Sequence, residues 1–469
     1  GFVITRFSMN KYSDFSKKLY ENYLNMPYIE FVEKNSSFMT KKIITEAFQL
    51  SQLVQNSLVF FSEVIIVIII YALLLIVDLN MTLILTVILG LKLLLLIFTL
   101  SKKIKKKGEE RSNAQGELYK LTNETFSNFK IVRLLSSQKK LLLKFKKSAA
   151  NLSTAHIVNS TLALIPRSVL EAIGFSILMG IVVYVVLIEN NIEAVIPIIS
   201  MYALALYRIL PAITRIVNSY NRIVFYSSSL DEVHEDISIF YSQEGGEELS
   251  FNKSIDISNI TFSFGSKTNI VEDFSLKIDK GDKLGILGGS GSGKSTLIDL
   301  ICGLYIPEKG EISIDGKILN LRNIVSWRKK IGYVPQSIYL FDGTIKDNIV
   351  FNRAYNHKKL IRVIKQANAY EFIMERNGLN TMVGESGIQF SGGQKQRLGL
   401  ARALYGDPEI IILDEATSAL DVSTEKKIMN EIYDICKDKT LIVIAHRVST
   451  TDECNKKINL SRKNKETYV

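Results

Sequence analysis

Cysteine is scarce in this chain, and the few that occur do not cluster. Cys302, Cys436 and Cys454 are widely spaced and form no Cys-x-x-Cys pair. That excludes a disulfide framework and a thiolate metal site, and it fits a reducing compartment. Histidine is equally thin: His156, His234, His357 and His446 are scattered, so no imidazole cluster offers a metal site. A signal-peptide pattern is missing, and the chain opens on Gly1 rather than Met, as a fragment would. What it has in excess is apolar residues, 47% of the total, and a net charge of +11 from 58 basic and 47 acidic side chains. A basic balance alone would suit nucleic acid or an anionic membrane surface. Position decides between them. Lys102, Lys103, Lys105, Lys106, Lys107 and Arg111 directly follow an apolar span, which is the positive-inside pattern of a membrane protein. No nucleic-acid partner is expected.

The apolar excess lies in the first half. A helix needs about 20 mostly apolar residues to cross the hydrocarbon core. Residues 58–77, 81–100, 165–188 and 194–217 qualify, giving an all-α membrane domain over 1–230. The first two spans join through Asp78-Leu79-Asn80 and the last two through the acidic connection 189–193. Both turns lack Lys and Arg, so they face outward, and both chain ends lie in the cytoplasm. Between the hairpins, residues 101–161 read as a solvated helix pair extending the spans into the cytoplasm. Glu63, Lys92, Arg167, Glu171, Arg208 and Arg215 fall inside or at the edge of the spans. Intramembrane charges are costly and mark pathways or pairs. Glu63 and Lys92 suit snorkelling or pairing. Arg208 and Arg215 stand seven residues apart, on one face of a helix. Arginine suits phosphate recognition through its rigid fork of donors, so Arg167, Arg208 and Arg215 are candidate substrate residues.

After an acidic linker at 231–250, strands and helices alternate through 251–469, as in an α/β P-loop NTPase. The apolar run 283–287 reads as a buried strand leading into Gly288-Gly289-Ser290-Gly291-Ser292-Gly293-Lys294-Ser295 and then a helix beginning near Thr296. This is a full P-loop match in the required context. Its glycines let N–H groups close around phosphates, and the helix N-terminus favours the anion. Lys294 is expected at the β- and γ-phosphates and Ser295 on Mg²⁺. A second buried strand, Ile410-Ile411-Ile412-Leu413, ends in Asp414-Glu415. Asp414 is expected to hold Mg²⁺ and Glu415 to polarise the attacking water.

Phe390-Ser391-Gly392-Gly393-Gln394-Lys395-Gln396-Arg397 resembles the signature motif of ATP-binding cassette (ABC) proteins. Gln336 in Tyr333-Val334-Pro335-Gln336 is similar to the Q-loop, Asp421 in Ser418-Ala419-Leu420-Asp421 to the D-loop, and His446 to the switch histidine. Phe264 stands where the family has an adenine-stacking tyrosine, and Phe390 replaces the usual leucine. The resemblance implies an ATPase with ATP and Mg²⁺ bound. Its catalytic residues would be Lys294, Gln336, Glu415 and His446, with Ser295, Gln336 and Asp414 on the metal. It also implies a homodimer, in which Ser391, Gly392, Gly393 and Gln394 of one chain face the ATP on the other chain's P-loop.

A membrane half followed by one cassette resembles an ABC exporter half-transporter. Such chains have six spans; the expectation here is that the first and most of the second precede Gly1. Segments near 25–31 and 128–137 fall where exporters place their coupling helices. Ile4-Thr5-Arg6-Phe7-Ser8, Tyr23-Leu24-Asn25, the run from Ile165 to Phe175 and Ala205-Leu206-Tyr207-Arg208-Ile209-Leu210-Pro211 are similar to the lipid-linked-oligosaccharide flippase of bacterial protein N-glycosylation. That resemblance implies a polyprenyl-pyrophosphate substrate handled by cavity arginines in the cytoplasmic membrane. The alternatives are an exporter of lipids or hydrophobic drugs and a non-transporting cassette ATPase.

Overall fold

The computed structural model describes residues 1–77, 79–188, 192–265, 269–384, 387–415, 422–445, 447–460 and 467–468. Contacts divide them into two units, Gly1–Met26 with Glu30–Tyr241, and Pro27–Ile29 with Ser242–Val469.

The first unit is helical throughout. Its helices are α1 (Phe2–Leu24), α2 (Tyr28–Glu33), α3 (Ser36–Lys41), α4 (Ala47–Val77), α5 (Leu79–Ser127), α6 (Phe129–Leu134), α7 (Gln138–Leu162), α8 (Ile165–Ile188) and α9 (Ile192–Ser238), and α2 straddles the two units. Helices satisfy every backbone polar group internally, which is what a lipid environment demands. Among the described residues, Ser36–Val77, Gln138–Gly180 and Ser200–Ser238 are long and apolar enough to cross a membrane. The expected span 81–100 is the first part of α5, and its Lys92 side chain lies outside the described set. On α4, Ile65, Ile68, Ile69 and Leu73 are exposed while Glu63 and Leu74 are buried, so one apolar face is left for lipid. The expected linker at 231–250 begins too early, because α9 continues through Ser238. Val233 and Asp236 are buried there, with Val233 packing on Leu19, Ala47 and Leu50, so the acidic stretch carries a helical inner face.

A π-helical turn, Lys42–Glu46, joins α3 to α4 beside a buried charge cluster. The Lys41 Nζ lies 3.1 Å from Glu46 Oε1 and 2.9 Å from Glu232 Oε2. Arg111 Nη2 lies 3.4 Å from Glu46 Oε2 and donates to Ser229 Oγ at 3.0 Å. Arg111 is fully buried, its guanidinium over the Phe225 and Tyr226 rings. It is therefore no headgroup-facing charge like the lysines before it, contrary to its reading as part of the positive-inside run. Beside the cluster, α5 meets α9 at Gly108, where an added Cβ would lie 2.3 Å from the Phe225 carbonyl oxygen.

The second unit holds two sheets. Strands β1 (Ser254–Ser263), β2 (Asn269–Asp279), β4 (Lys309–Ile314) and β5 (Lys317–Ile318) form an antiparallel sheet in the order β2-β1-β4-β5. Strands β3 (Lys283–Gly288), β6 (Ile331–Val334), β7 (Ile410–Asp414), β8 (Thr440–Ile444), β9 (Lys456–Leu460) and β10 (Thr467–Tyr468) form the other, in the order β10-β9-β3-β8-β7-β6. All its pairings are parallel except β9 with β10. β7 and β8 are buried along their whole length, as expected of apolar runs covered on both faces. Parallel order places the C-terminal ends of β3 and β7 on one edge, where ligands bind in such sheets. The sole tryptophan, Trp327, is fully buried and donates its indole N–H to Ile301 O at 2.7 Å, tying the helix after the P-loop to the core.

Candidate nucleotide site

β3 ends at Gly288, and the loop leads into α10 (Lys294–Ile301). The loop needs glycine for two reasons. Gly291 and Gly293 have φ of +74° and +92°, a region that L side chains rarely adopt. At Gly288 a Cβ would lie 2.6 Å from both Leu460 O and Ser292 Oγ. Gly289 and Gly291, by contrast, have open space where a side chain would project, which leaves backbone N–H groups accessible. Lys294 is buried and donates from Nζ to Gly288 O at 2.9 Å and Gly289 O at 3.0 Å. The Ser292 hydroxyl is buried without a partner among the described residues. An orphaned donor, two accessible glycines and a helix N-terminus fit a phosphate chain. Ser290 and Ser295 are exposed and Thr296 half-buried at the same end.

β7 lies one strand away from β3, with β8 between them, and its C-terminal end is on the same edge of the sheet as this loop. Tyr333 donates its hydroxyl to Asp414 Oδ2 at 2.9 Å, and Gln336 Nε2 donates to Glu415 Oε2 at 2.6 Å. Register explains the proximity: β6 pairs in parallel with β7, Tyr333 opposite Ile412 and Val334 opposite Leu413. Glu415 adopts φ +47°, unusual for a non-glycine residue, at the turn that presents it. Burial raises the Asp414 carboxyl above its ordinary value; Tyr333 opposes this, Glu415 adds to it and Lys294 opposes it. Asp299 on α10 is pushed up to about 6, first by burial and then by the charge of Asp414. Ser295 and Asp414 provide a hydroxyl and a carboxylate, the hard oxygen set that Mg²⁺ takes alongside phosphate oxygens and water.

Phe264 is exposed and braced edge-on by Phe262 at 5.2 Å and by Tyr305 at 5.3 Å, so its ring is held for stacking. Ser391 caps the helix Gly392–Leu404: its hydroxyl accepts from Gln394 N, and Gln394 Oε1 accepts from Ser391 N. Gly288 through Thr296, Gln336, Asp414 and Glu415 thus gather at one sheet edge, while Ser391, Gly392, Gly393 and Gln394 form a separate turn. Asp421 and His446 lie outside the described residues. Sequence reading passed over Tyr333 and Asp299. Tyr333 was detectable as the neighbour of the Q-loop on a strand beside β7.

In the membrane unit, Arg215 is engaged bidentately with Glu63, Nε to Oε1 at 2.7 Å and Nη2 to Oε2 at 3.0 Å. Arg167 Nε reaches Glu171 Oε1 at 2.9 Å across one helical turn. Arg208 is exposed and has no ion pair or hydrogen bond among the described residues. The structure therefore separates the three candidate substrate arginines into two paired and one free.

Comparison with known proteins places both halves. The ABC transporter transmembrane region matches residues 1–209, and the ABC transporter domain matches 271–418. A putative export ATP-binding/permease protein of Rickettsia bellii (strain RML369-C) is 31% identical over 463 residues, covering 94% of this chain and 78% of that protein. An ATP-dependent lipid A-core flippase of Pseudomonas fluorescens (strain Pf0-1) is 28% identical over 463 residues, covering 97% and 76%. The structure of a bacterial Atm1-family ABC exporter with ATP bound superposes with a TM-score of 0.87 at 21% identity, covering 99% of this chain and 83% of that one. The match of the membrane region sets aside the non-transporting reading. The chain belongs to the ABC transporters, as an exporter whose membrane-embedded helical half is driven by a cytoplasmic cassette that binds ATP with Mg²⁺ and hydrolyses it.

Proposed function

We propose that two copies of this chain form one flippase of the cytoplasmic (inner) membrane, and that its cargo is a lipid with a phosphorylated headgroup. Within that class we favour a polyprenyl-pyrophosphate-linked oligosaccharide, on the resemblance of the membrane-half segments named under Sequence analysis. Arg208 carries this reading, as an exposed guanidinium with no partner among the described residues, in a helix of the membrane unit. An unpaired arginine there is costly unless something anionic completes it, and its fork matches phosphate oxygens. Arg167 and Arg215 join it in the proposal through exchange: the headgroup would compete with Glu171 and Glu63 for them.

In the cassette, the P-loop from Gly288 to Thr296 would cradle the phosphates, Lys294 leaving the Gly288 and Gly289 carbonyls to reach them. Mg²⁺, held by Ser295, Asp414 and Gln336, would neutralise charge on the β- and γ-phosphate oxygens. Glu415 would align the attacking water, and Gln336, which donates to that carboxylate here, would set its orientation. Phe264 would stack on the adenine. Ser391, Gly392, Gly393 and Gln394 would close over the ATP of the second copy, with Asp421 and His446 completing the site. A helix start already ordered by its capping box suits an approaching γ-phosphate.

The test uses proteoliposomes with a fluorescent polyprenyl-pyrophosphate oligosaccharide and, separately, a fluorescent zwitterionic phospholipid. Arg208→Ala is expected to slow flipping of the first at least ten-fold and to spare ATP binding. Parental flipping by Arg208→Ala removes the pyrophosphate reading. A second reading, export of lipids or hydrophobic compounds without headgroup selection, is favoured by the pairing of Arg167 and Arg215. It holds if both probes are moved equally well by the parent chain.

A further inference from the structure

The signature turn departs from its family pattern at Phe390, and the structure supplies a partner for the change. Phe390 is buried, T-shaped against Phe372 with ring centroids 6.3 Å apart. Across its face lies the guanidinium of Arg376, 4.5 Å from the ring centroid. The same guanidinium donates from Nη2 to the carbonyl of Gln389 at 3.0 Å. One side chain, set just after the short helix Tyr370–Met374, therefore grips the two residues immediately before Ser391. The far end of the grip is anchored as well: Phe390 N donates to Gly387 O at 3.0 Å. Gly387 has φ +69°, and a Cβ there would lie 2.9 Å from Leu340 Cδ1. Leucine at 390 would fill the pocket but offer no π face to a cation.

We infer that Arg376 is a positioning residue for the signature turn: through Phe390 and Gln389 it sets where Ser391 and the helix Gly392–Leu404 present themselves to a nucleotide. It touches no nucleotide itself. This rests on the composite-site reading proposed above, in which the turn acts on ATP held by a second copy. Misplacing a reacting or binding group by about 1 Å costs on the order of a hundred-fold, so a modest loosening of this turn is readable in nucleotide trapping while the P-loop on the same chain is unaffected. Lysine at 376 would keep a charge over the ring but lose the planar fork that reaches the Gln389 carbonyl at the same time.

The experiment uses the full chain in nanodiscs, in a Glu415→Gln background that retains radiolabelled ATP through gel filtration. Adding Arg376→Ala is expected to lower retained ATP about five-fold, equivalent to about 1 kcal/mol, with equilibrium binding of a fluorescent ATP analogue and the thermal midpoint unchanged. Arg376→Lys should fall between the two. With Phe390→Leu already present, Arg376→Ala should cost less than it does alone, because the ring it works through is gone. Parental retention in Arg376→Ala overturns the inference. So does a parallel loss of analogue binding and thermal midpoint, which would make Arg376 a general support of the fold. Gly393→Asp is the separate control. If it leaves retention intact, the composite-site reading fails and the inference falls with it; if it abolishes retention while Arg376→Ala does nothing, the inference fails alone.

Discussion

Removing one hydroxyl from Tyr333 tests whether Asp414 holds Mg²⁺ as proposed, with Tyr333 as its outer-sphere partner. In Tyr333→Phe the ring keeps its place on β6, and only the 2.9 Å hydrogen bond to Asp414 Oδ2 is lost. A hydrogen bond to a charged group contributes about 1.5–3 kcal/mol. Tyr333 is 39% exposed, so water can take over part of the bond. That brings the expected loss to about 1–2 kcal/mol, or about 5- to 30-fold in Mg²⁺ affinity. Two effects act in the same direction. The Asp414 carboxylate loses the contact that fixes its orientation, and outer-sphere changes of this kind weaken metal sites about 10- to 100-fold. It also loses a donor that favours its charged form, on a group that burial already pushes toward protonation. The assay is a Mg²⁺ titration of fluorescent-ATP binding to the full chain, with Mn²⁺ paramagnetic resonance as an independent reading of the metal. The midpoint should move to higher Mg²⁺, with near-parental nucleotide binding once Mg²⁺ saturates. An unchanged midpoint would refute the argument, and so would a loss of nucleotide binding that saturating Mg²⁺ does not restore.

The remaining predictions concern the two units separately. Gly108→Ala should destabilise the helical unit by about 2–3 kcal/mol, because the new Cβ meets a backbone oxygen, which cannot rotate away; the helical circular-dichroism midpoint reads it, and no shift would mean α5 and α9 do not touch there. Asp299 is raised by burial, so its contribution to stability is complete below its unfolded value of 3.8 and is lost as pH rises through about 6. Asp299→Asn should therefore raise the midpoint of Trp327 fluorescence unfolding at pH 7.5 and gain much less at pH 4.5; an equal gain at both would refute the assignment.

The cassette was legible in the sequence because its chemistry is local. Gly288 through Ser295 are consecutive, and so are Ile410 through Glu415, so short strings carry loop, helix start and acidic pair together. Gln336 was recognisable from its neighbours, but its bond to Glu415 joins residues far apart in the chain and depends on the parallel pairing of β6 with β7. The membrane unit shows the opposite case. Apolar length located α4 and α8 well, since span length is set by the bilayer. It could not pair the charges within it. Glu63 with Arg215, and Lys41, Glu46, Arg111 and Glu232 with one another, are brought together only by packing of α4 on α9, and of α3 and the π-helical turn on α5 and α9. Arg111 was misread for that reason: in sequence it continues a lysine run, and only the fold reveals its inward aim. The extent of α9 was misjudged because acidic composition reads as a linker, while Val233 and Asp236 recur at helical spacing on its buried face.

The length of α9 has a mechanical consequence. Its 47 residues span about 70 Å at ~1.5 Å per residue, more than twice the ~30 Å thickness of a hydrocarbon core. Pro197 and Pro211 lie inside it, and each removes one rung of the hydrogen-bond ladder where it stands. Residues 212–238 hold no proline, so that stretch bends as a stiff rod about 40 Å long. Pro211, between Arg208 and Arg215, stands at the start of that rod and interrupts its hydrogen-bond ladder there. A bend of about 10° at that point would swing the Ser238 end through about 7 Å, so a sub-ångström rearrangement around either arginine is amplified by leverage alone.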